Sequence, residues 1–243
     1  MDTVNLYQII NIENNINAQT LLVKLDHLVD LKKHDLFKFL SQELIAINDF
    51  SKIMAPFYFA VYNWSNHLEK FESKIFNQKN IGVEQRKKSI EILHENVMDE
   101  KGFDGKYQNL DKCHIVTYIN FLLALGFNGK LSQTKAVIKF NNLLDENLLN
   151  KSPAFNACLL GGIEHLYIKI SNFISTYCTK MNISQEHYNN HEILDVKHSM
   201  DLFTVAQLCD VNNDELIEGT ISGYELLWNL FMDLIHENIQ IKT

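Results

Sequence analysis

Residues 191–198 contain three residues of metal-binding types, spaced at intervals of about one helical turn. His191, Asp195 and His198 occupy positions i, i+4 and i+7, which lie on one face of an α-helix. Two imidazoles and a carboxylate are suitable ligands for iron, manganese or zinc. One helix cannot surround an ion, so further ligands must come from other helices, as in carboxylate-bridged di-iron bundles. The same spacing also fits an ordinary polar helix face, because short motifs have many false positives.

Glu164 is the first candidate for a ligand from another helix. It lies among small and apolar residues, where a carboxylate is costly to bury unless it is paired or binds a metal. The adjoining Gly161 and Gly162 each cost a helix about 1 kcal/mol, which indicates close packing against a neighbouring element. The alternative is that Glu164 lies on the solvent-exposed edge of its helix.

Two more candidates flank one predicted loop. Glu100 lies at the end of a predicted helix, and His114 lies near the start of the next one, so both side chains can reach the same point. An acidic residue at a helix C-terminus opposes the helix dipole, and this mild penalty favours a functional role for Glu100. The simpler interpretation of His114 is a surface histidine in the first turn of its helix.

The order of these segments resembles the heme-oxygenase-like iron-containing redox enzymes, the CADD-like group near the PqqC and TenA proteins. The resemblance covers residues 57 to 203. It rests on Glu-Asn-Val-Met-Asp-Glu-Lys-Gly at 95–102, then a histidine, Phe-Leu-Leu-Ala-Leu-Gly at 121–126, Glu164, and His-x3-Asp-x2-His at 191–198. Each motif is weak alone, whereas their joint order and spacing are more specific.

The resemblance implies an all-α, heme-oxygenase-like bundle of about seven to eight helices with a site for two iron ions, manganese being an alternative at one position. The residues that match the family's ligands are Glu100, His114, Glu164, His191, Asp195 and His198. A further carboxylate on the preceding helix is implied as Glu72, with Glu69 as the second choice. The loop before His114 is longer than in the family pattern, which leaves Glu95 as an alternative to Glu100.

The implied function is a non-heme di-iron oxygenase or oxidase that uses O2 and a small organic substrate. An amine, an amino acid, a fatty acid or p-aminobenzoate-type chemistry all agree with the family. Two other functions remain open, a metal-free TenA-like hydrolase and a non-enzymatic interaction protein on the same bundle. The TenA-type chemistry requires a nucleophilic cysteine, and no matching motif surrounds Cys178 or Cys209 near their predicted helix ends.

Long stretches of helical periodicity, few glycines and only two prolines predict that helices position these residues. The predicted helices span 18–43, 45–77, 83–102, 111–126, 132–146, 152–181, 184–209 and 214–237. The first is open to a break near residues 33–34 and the second to a break near Pro56. Asp111, Ser132, Ser152 and Ser184 are the predicted N-caps.

Length and composition predict one globular domain over residues 1–243 and argue against several classes of protein. The net charge is −8 and no long basic cluster occurs, so a nucleic-acid partner is not expected. Apolar runs are too short to span a bilayer, and no signal peptide is evident, so we expect a cytoplasmic protein without a membrane partner. The four scattered cysteines favour reduced thiols. A homodimer is the default expectation.

Overall fold

The computed structural model describes Leu6, Ile10, residues 16–184 and residues 186–238, with residues 192 and 193 described by their backbone alone. Helix dominates, and the described residues include ten α-helices that we number in chain order. They are α1 (Ala18–Leu28), α2 (Asp35–Ser41), α3 (Ile47–Met54), α4 (Tyr58–Phe76), α5 (Val83–Glu100), α6 (His114–Ala124), α7 (Lys135–Asn150), α8 (Pro153–Lys180), α9 (Glu186–Leu208) and α10 (Asn213–Asn238). The predicted all-α fold is therefore confirmed, with more helices than predicted.

The higher number arises because the first two predicted helices are each divided. A 3-10 helix, Leu31–Lys33, separates α1 from α2, and the ring of His34 then caps α2 by accepting a hydrogen bond from the Leu36 amide. The second predicted helix is interrupted at Pro56, between α3 and α4. Proline lacks the amide hydrogen that a continuous helix needs, so the break at this position has a local cause.

Two of the predicted N-caps are wrong and one is confirmed. Asp111 lies within a second 3-10 helix, Leu110–Lys112, and α6 starts at His114. The helix predicted to start at Ser132 begins at Lys135 and continues to Asn150. Ser152 does cap α8, because its hydroxyl accepts a hydrogen bond from the Phe155 amide. The cap predicted at Ser184 involves residue 185, which lies outside the described residues.

Helix α8 is the central element of the bundle. It has 28 residues, most of them buried, and packs chiefly against α9 and α10. A side chain at Gly162 would place its Cβ 2.5 Å from the backbone oxygen of Thr220 in α10, and one at Gly223 would collide with the backbone of α8. The close packing predicted from Gly161 and Gly162 is therefore confirmed, and α8 and α10 touch backbone to backbone.

A short antiparallel hairpin, with strands β1 (Phe103–Asp104) and β2 (Tyr107–Gln108), connects α5 to α6. Gly102 precedes it with φ of +77°, and a Cβ there would lie 2.5 Å from the backbone oxygen of Asn109. Only glycine fits this left-handed, crowded position. The resulting turn brings the end of α5 beside the start of α6. No helix in the described part of the chain is long and apolar enough to cross a membrane.

Candidate metal centre

Six of the predicted ligand residues lie together in the interior of the bundle, where α5, α6, α8 and α9 meet. Each of these side chains is at most 5 % exposed. They are Glu100, His114, Glu164, His191, Asp195 and His198. The surface interpretations of Glu164 and His114 are therefore wrong, and the i, i+4, i+7 face of α9 points into the protein rather than toward solvent.

One part of the cluster joins Glu100, Glu164 and His198. One carboxylate oxygen from each glutamate and one ring nitrogen of His198 all lie within 4.8 Å of one another. The Nδ1 atom of His198 is 3.6 Å from Oε1 of Glu100, which is beyond hydrogen-bonding distance. Three donor atoms from three different helices therefore surround a common point without bonding to one another, which is the arrangement that a bound cation requires.

The other part joins His114, His191 and Asp195 to the same Glu100. Oε2 of Glu100 lies 2.6 Å from Nδ1 of His114, an ion-pair distance without the alignment of a hydrogen bond. The rings of His114 and His191 are 4.2 Å apart between centroids, and Nδ1 of His191 lies 2.8 Å from Oδ1 of Asp195. Glu100 thus directs one oxygen toward each half of the cluster.

Several buried polar atoms of the cluster have no hydrogen-bond partner. Among the described residues, six of the twelve such side-chain atoms belong to it. These atoms are Oε1 of Glu100, both ring nitrogens of His114, Nε2 of His191, Oδ2 of Asp195 and Nδ1 of His198. Buried polar groups are nearly always satisfied, so this concentration requires an explanation, and a coordinated ion provides one.

Electrostatics within the cluster favour charge on some groups and oppose it on others. Burial would raise the pKa of Glu100 and lower that of His114, but their mutual attraction outweighs it, so the pKa of Glu100 is lowered and that of His114 is raised. Burial, together with the adjacent Asp195, holds the pKa of Glu164 well above its usual value. Burial likewise raises the pKa of Asp195 well above its usual value.

The remaining histidines differ from one another. Burial lowers the pKa of His191 well below its usual value, and the neighbouring His114 lowers it further. Burial would lower the pKa of His198 as well, but its hydrogen bond to Asp99 and the surrounding carboxyl groups raise its pKa to about 9. The raised pKa values of His198, Glu164 and Asp195 therefore favour their protonated forms when no cation is bound. A divalent cation could replace those protons, because metal binding requires deprotonated ligands.

The donor set also fits iron or manganese chemically. Three carboxylates and three imidazoles contribute oxygen and nitrogen donors, and no cysteine is among them. Imidazole with carboxylate is the ligand combination of non-heme iron sites, whereas structural zinc sites usually contain thiolates. The residues present thus match the metal that the sequence resemblance implies.

The three other predicted carboxylates do not join the cluster. Oε1 of Glu72 lies 3.8 Å from Nδ1 of the exposed His94, and Glu69 pairs with Lys101. Glu95 is exposed. The α4 residue that does reach the cluster is Trp64, and Glu72 lies two turns further along that helix, or about 12 Å. The placement of Glu72 as a seventh ligand is therefore not supported, and the residue that contacts the cluster from α4 is Trp64.

Three residues at the site are not among the predicted ligands. The indole Nε1 of Trp64 donates a hydrogen bond of 2.8 Å to Oε1 of Glu164. Asp99 accepts one of 3.3 Å from Nε2 of His198. Buried His187 lies one turn before His191, with ring centroids 4.3 Å apart. The i−4 spacing of His187 and the aromatic stretch that contains Trp64 are readable signals, whereas nothing in the sequence distinguishes Asp99 from its neighbours.

His187 extends the cluster toward Tyr167. Its Nδ1 lies 2.8 Å from the hydroxyl of Thr117, which itself donates to the carbonyl of His114. The hydroxyl of Thr117 therefore accepts from Nδ1 of His187, which leaves Nε2 to accept from the phenol of Tyr167 at 3.4 Å. Both ring nitrogens of His187 are thus occupied, so this histidine supports the site without a free donor atom.

A small cavity adjoins the cluster and has about 40 Å³ of free space. Its polar side is formed by Glu100, Glu164, Tyr167 and His191. The rest of its wall is mostly hydrophobic and consists of Phe57, Ala60, Val61, Trp64, Phe140, Ile163 and Leu227. This space exceeds the roughly 10–15 Å³ that one water molecule needs. It can therefore hold a diatomic gas or a small apolar group directly beside the carboxylates.

The cysteines give no comparable support for thiol chemistry. All four cysteines are free, and three of them are fully buried. Burial raises the pKa of Cys178 to about 12, and it does the same for Cys209. Neither is a thiolate near neutral pH, so neither is activated as a nucleophile.

The chemistry of the cluster has to be inferred from these residues, because no family model matches the sequence and no curated protein matches it significantly.

Proposed function

We propose that the cluster binds two iron ions and that the protein is an O2-dependent di-iron oxidase or oxygenase, in which manganese can replace one iron. The set of six buried donor atoms without hydrogen-bond partners carries this proposal. Leaving a buried polar atom unpaired costs about 1–3 kcal/mol, and coordination to a cation removes that cost. The sequence resemblance to heme-oxygenase-like redox enzymes supports the same ion and the same ligands.

The ligands divide into two groups that share Glu100. His198 and Glu164 would hold one ion, and His114 and His191 the other. Asp195 contacts His191 and also interacts with Glu164, so it lies between the two groups. Three carboxylates offset most of the charge of two divalent cations, which makes a pair of ions acceptable in the interior.

Bound ferrous iron would supply the electrons that activate O2. The chain itself contributes the surroundings of that chemistry. The apolar wall of the cavity keeps water away from the carboxylates and admits a small organic group. The hydrogen bonds from Trp64 to Glu164 and from His198 to Asp99 fix the orientation of two ligands. An amine, an amino acid, a fatty acid or a p-aminobenzoate-type compound remain the candidate substrates.

The rival enzyme, a metal-free TenA-like hydrolase, is less well supported. It needs a reactive thiolate, and burial raises the pKa of both Cys178 and Cys209 to about 12. A non-enzymatic interaction protein gives no reason for gathering three carboxylates and three histidines in the interior, where their burial is costly. We further propose a cytoplasmic protein that acts as a homodimer.

Metal analysis tests the proposal directly. Protein reconstituted with Fe(II) under anaerobic conditions and then desalted should contain about two irons per chain, and it should consume O2 when air is admitted. His191→Leu should lower the iron content to below about one per chain. The control is His67→Leu, which removes a buried histidine whose ring nitrogens are both hydrogen-bonded, to Asp145 and Asn141. A wild-type protein without iron, or equal losses in the two variants, would overturn the proposal.

A further inference from the structure

The cavity beside the cluster reaches the surface on one side. Among its lining residues, only Val61 and Trp64 are partly exposed, and all the others are buried. These two residues are three positions apart on α4, so their side chains are neighbours on one face of that helix. The mouth of the cavity therefore lies along α4, and a ligand that enters it passes the indole of Trp64.

Trp64 is also in direct contact with the proposed metal centre. Its Nε1 atom donates a 2.8 Å hydrogen bond to Oε1 of Glu164, across the cavity wall. Of the other wall residues outside the cluster, only Tyr167 has a side-chain donor, and its phenol already donates to Nε2 of His187. Glu164 in turn lies beside Glu100 and His198, and these three residues could together hold a cation. The indole is thus the one wall group that can hold this carboxylate in place.

We propose that Trp64 is the positioning residue for Glu164, and that it joins the entrance of the cavity to the metal centre through a single side chain. The indole N–H holds one carboxylate oxygen of Glu164 and leaves the other for an ion. Partners of this kind outside the ligand set orient the ligands, and their loss typically weakens metal binding about 10–100-fold. The inference rests on the proposed metal centre, and it predicts that a change in the cavity wall at Trp64 alters metal binding.

Manganese affinity provides the first test. Free Mn(II) is measured by electron paramagnetic resonance in titrations of wild type, Trp64→Phe and Phe140→Leu. Both variants retain a hydrophobic wall, but only Trp64→Phe removes the donor to Glu164. We expect Trp64→Phe to weaken the affinity at least about tenfold and Phe140→Leu to change it less than about twofold. Equal effects of the two variants would overturn the positioning role, whereas a wild type that binds no Mn(II) or iron would overturn the metal centre itself.

The indole resonance provides a second test that needs no metal. The chain has two tryptophans, so the indole ¹⁵N–¹H signal of Trp64 is identified by its loss in Trp64→Phe. In the metal-free protein, Glu164→Ala should move this signal upfield and speed its exchange with solvent. Glu164→Gln should preserve the signal, because the amide oxygen still accepts the hydrogen bond. An indole signal unaffected by Glu164→Ala would contradict the inference even in a protein that binds two metal ions.

Discussion

Buried histidines occur in two settings in this protein, and the difference between them separates a structural role from the proposed ligand role. His34 accepts a hydrogen bond of 3.1 Å from the Leu36 amide through Nδ1, and its Nε2 lies 3.0 Å from the carbonyl of Trp228. His67 lies 3.1 Å from Asp145 and 3.0 Å from Asn141. Both nitrogens of each ring are therefore engaged, since His34 caps α2 and contacts α10, and His67 connects α4 to α7.

The histidines of the cluster are buried to the same extent, but their nitrogens are not all used. His114, His191 and His198 each have at least one ring nitrogen without a hydrogen-bond partner. His187, one turn from His191, has both nitrogens engaged and so resembles His34 and His67. Burial alone therefore does not distinguish the two settings, whereas a buried ring nitrogen without a hydrogen-bond partner does.

The largest expected effect is on iron content and comes from changing Glu100, because both halves of the cluster share this residue. Glu100→Gln should reduce the iron content from about two per chain to well below one, measured by elemental analysis after anaerobic reconstitution. Asp145→Asn is the matched control, since it changes the carboxyl group that lies beside His67. If Glu100→Gln retains as much iron as Asp145→Asn, the cluster does not differ from an ordinary buried polar network.

The second effect concerns His34 and acid stability. Burial lowers the pKa of His34 to about 4, from about 6.5 in the unfolded chain. Because its folded-state pKa is depressed, the neutral ring stabilises the fold fully above pH 6.5, and that contribution is lost as the pH falls toward 4. The loss should reach about 3 kcal/mol.

The measurement is the free energy of unfolding in denaturant, between pH 7 and pH 4. His34→Asn keeps a side-chain oxygen that can cap α2 but cannot be protonated in this range. The wild type should therefore lose about 3 kcal/mol more than His34→Asn over this interval. Parallel pH profiles of the two proteins would show that His34 does not titrate as a buried neutral ring.

A third effect separates stability from metal binding. His67→Leu removes the hydrogen bonds that the buried ring forms with Asn141 and Asp145, which should lower the free energy of unfolding by about 2 kcal/mol. Fe(II) should still stabilise this variant as much as the wild type, by about 2.7 kcal/mol at a hundredfold excess over the dissociation constant. Thermal melts with chelator and with Fe(II) measure both quantities. A smaller iron effect in the variant would connect His67 to the site.

The smallest effect is expected at Asp99, which orients His198 without belonging to the ligand set. Asp99→Ala should weaken iron affinity about tenfold, and Asp99→Asn less, because an amide oxygen can still accept from Nε2. Asp201→Asn is the control, since Asp201 pairs with the same Lys197 but not, within the described part of the chain, with His198. Equal iron affinities for Asp99→Ala and Asp201→Asn would show that Asp99 does not orient His198.

Much of the helical framework follows from local sequence signals. Ser152 followed by Pro153 predicted the start of α8, and α5 ends within two residues of its predicted end because Gly102 follows it. The start of α6 could not be found in the same way. Its first residue is fixed by the hairpin and the 3-10 helix before it, and Cys113 caps it without a side-chain hydrogen bond.

The cluster shows a similar division between local and long-range information. The spacing of His191, Asp195 and His198 placed them on one face, whereas the apolar segment around Glu164 left burial and a solvent-exposed edge both open. The choice between carboxylates on α4 and α5 depends on how those helices rotate against α8, which no local pattern encodes. The sequence therefore could not reveal that an indole, rather than Glu72, faces Glu164.

The glycine contacts between α8 and α10 make the two sides of the cavity mechanically unequal. Where backbone meets backbone at Gly162 and Gly223, no side chain can change rotamer to let the helices slide. The side of the cavity that carries Glu164 therefore behaves as a rigid floor. The α4 side is held by side chains such as Val61 and Trp64, which can rotate. The volume needed for anything larger than a diatomic molecule or a small apolar group must therefore come from movement of α4 side chains, while Glu164 on α8 keeps its position.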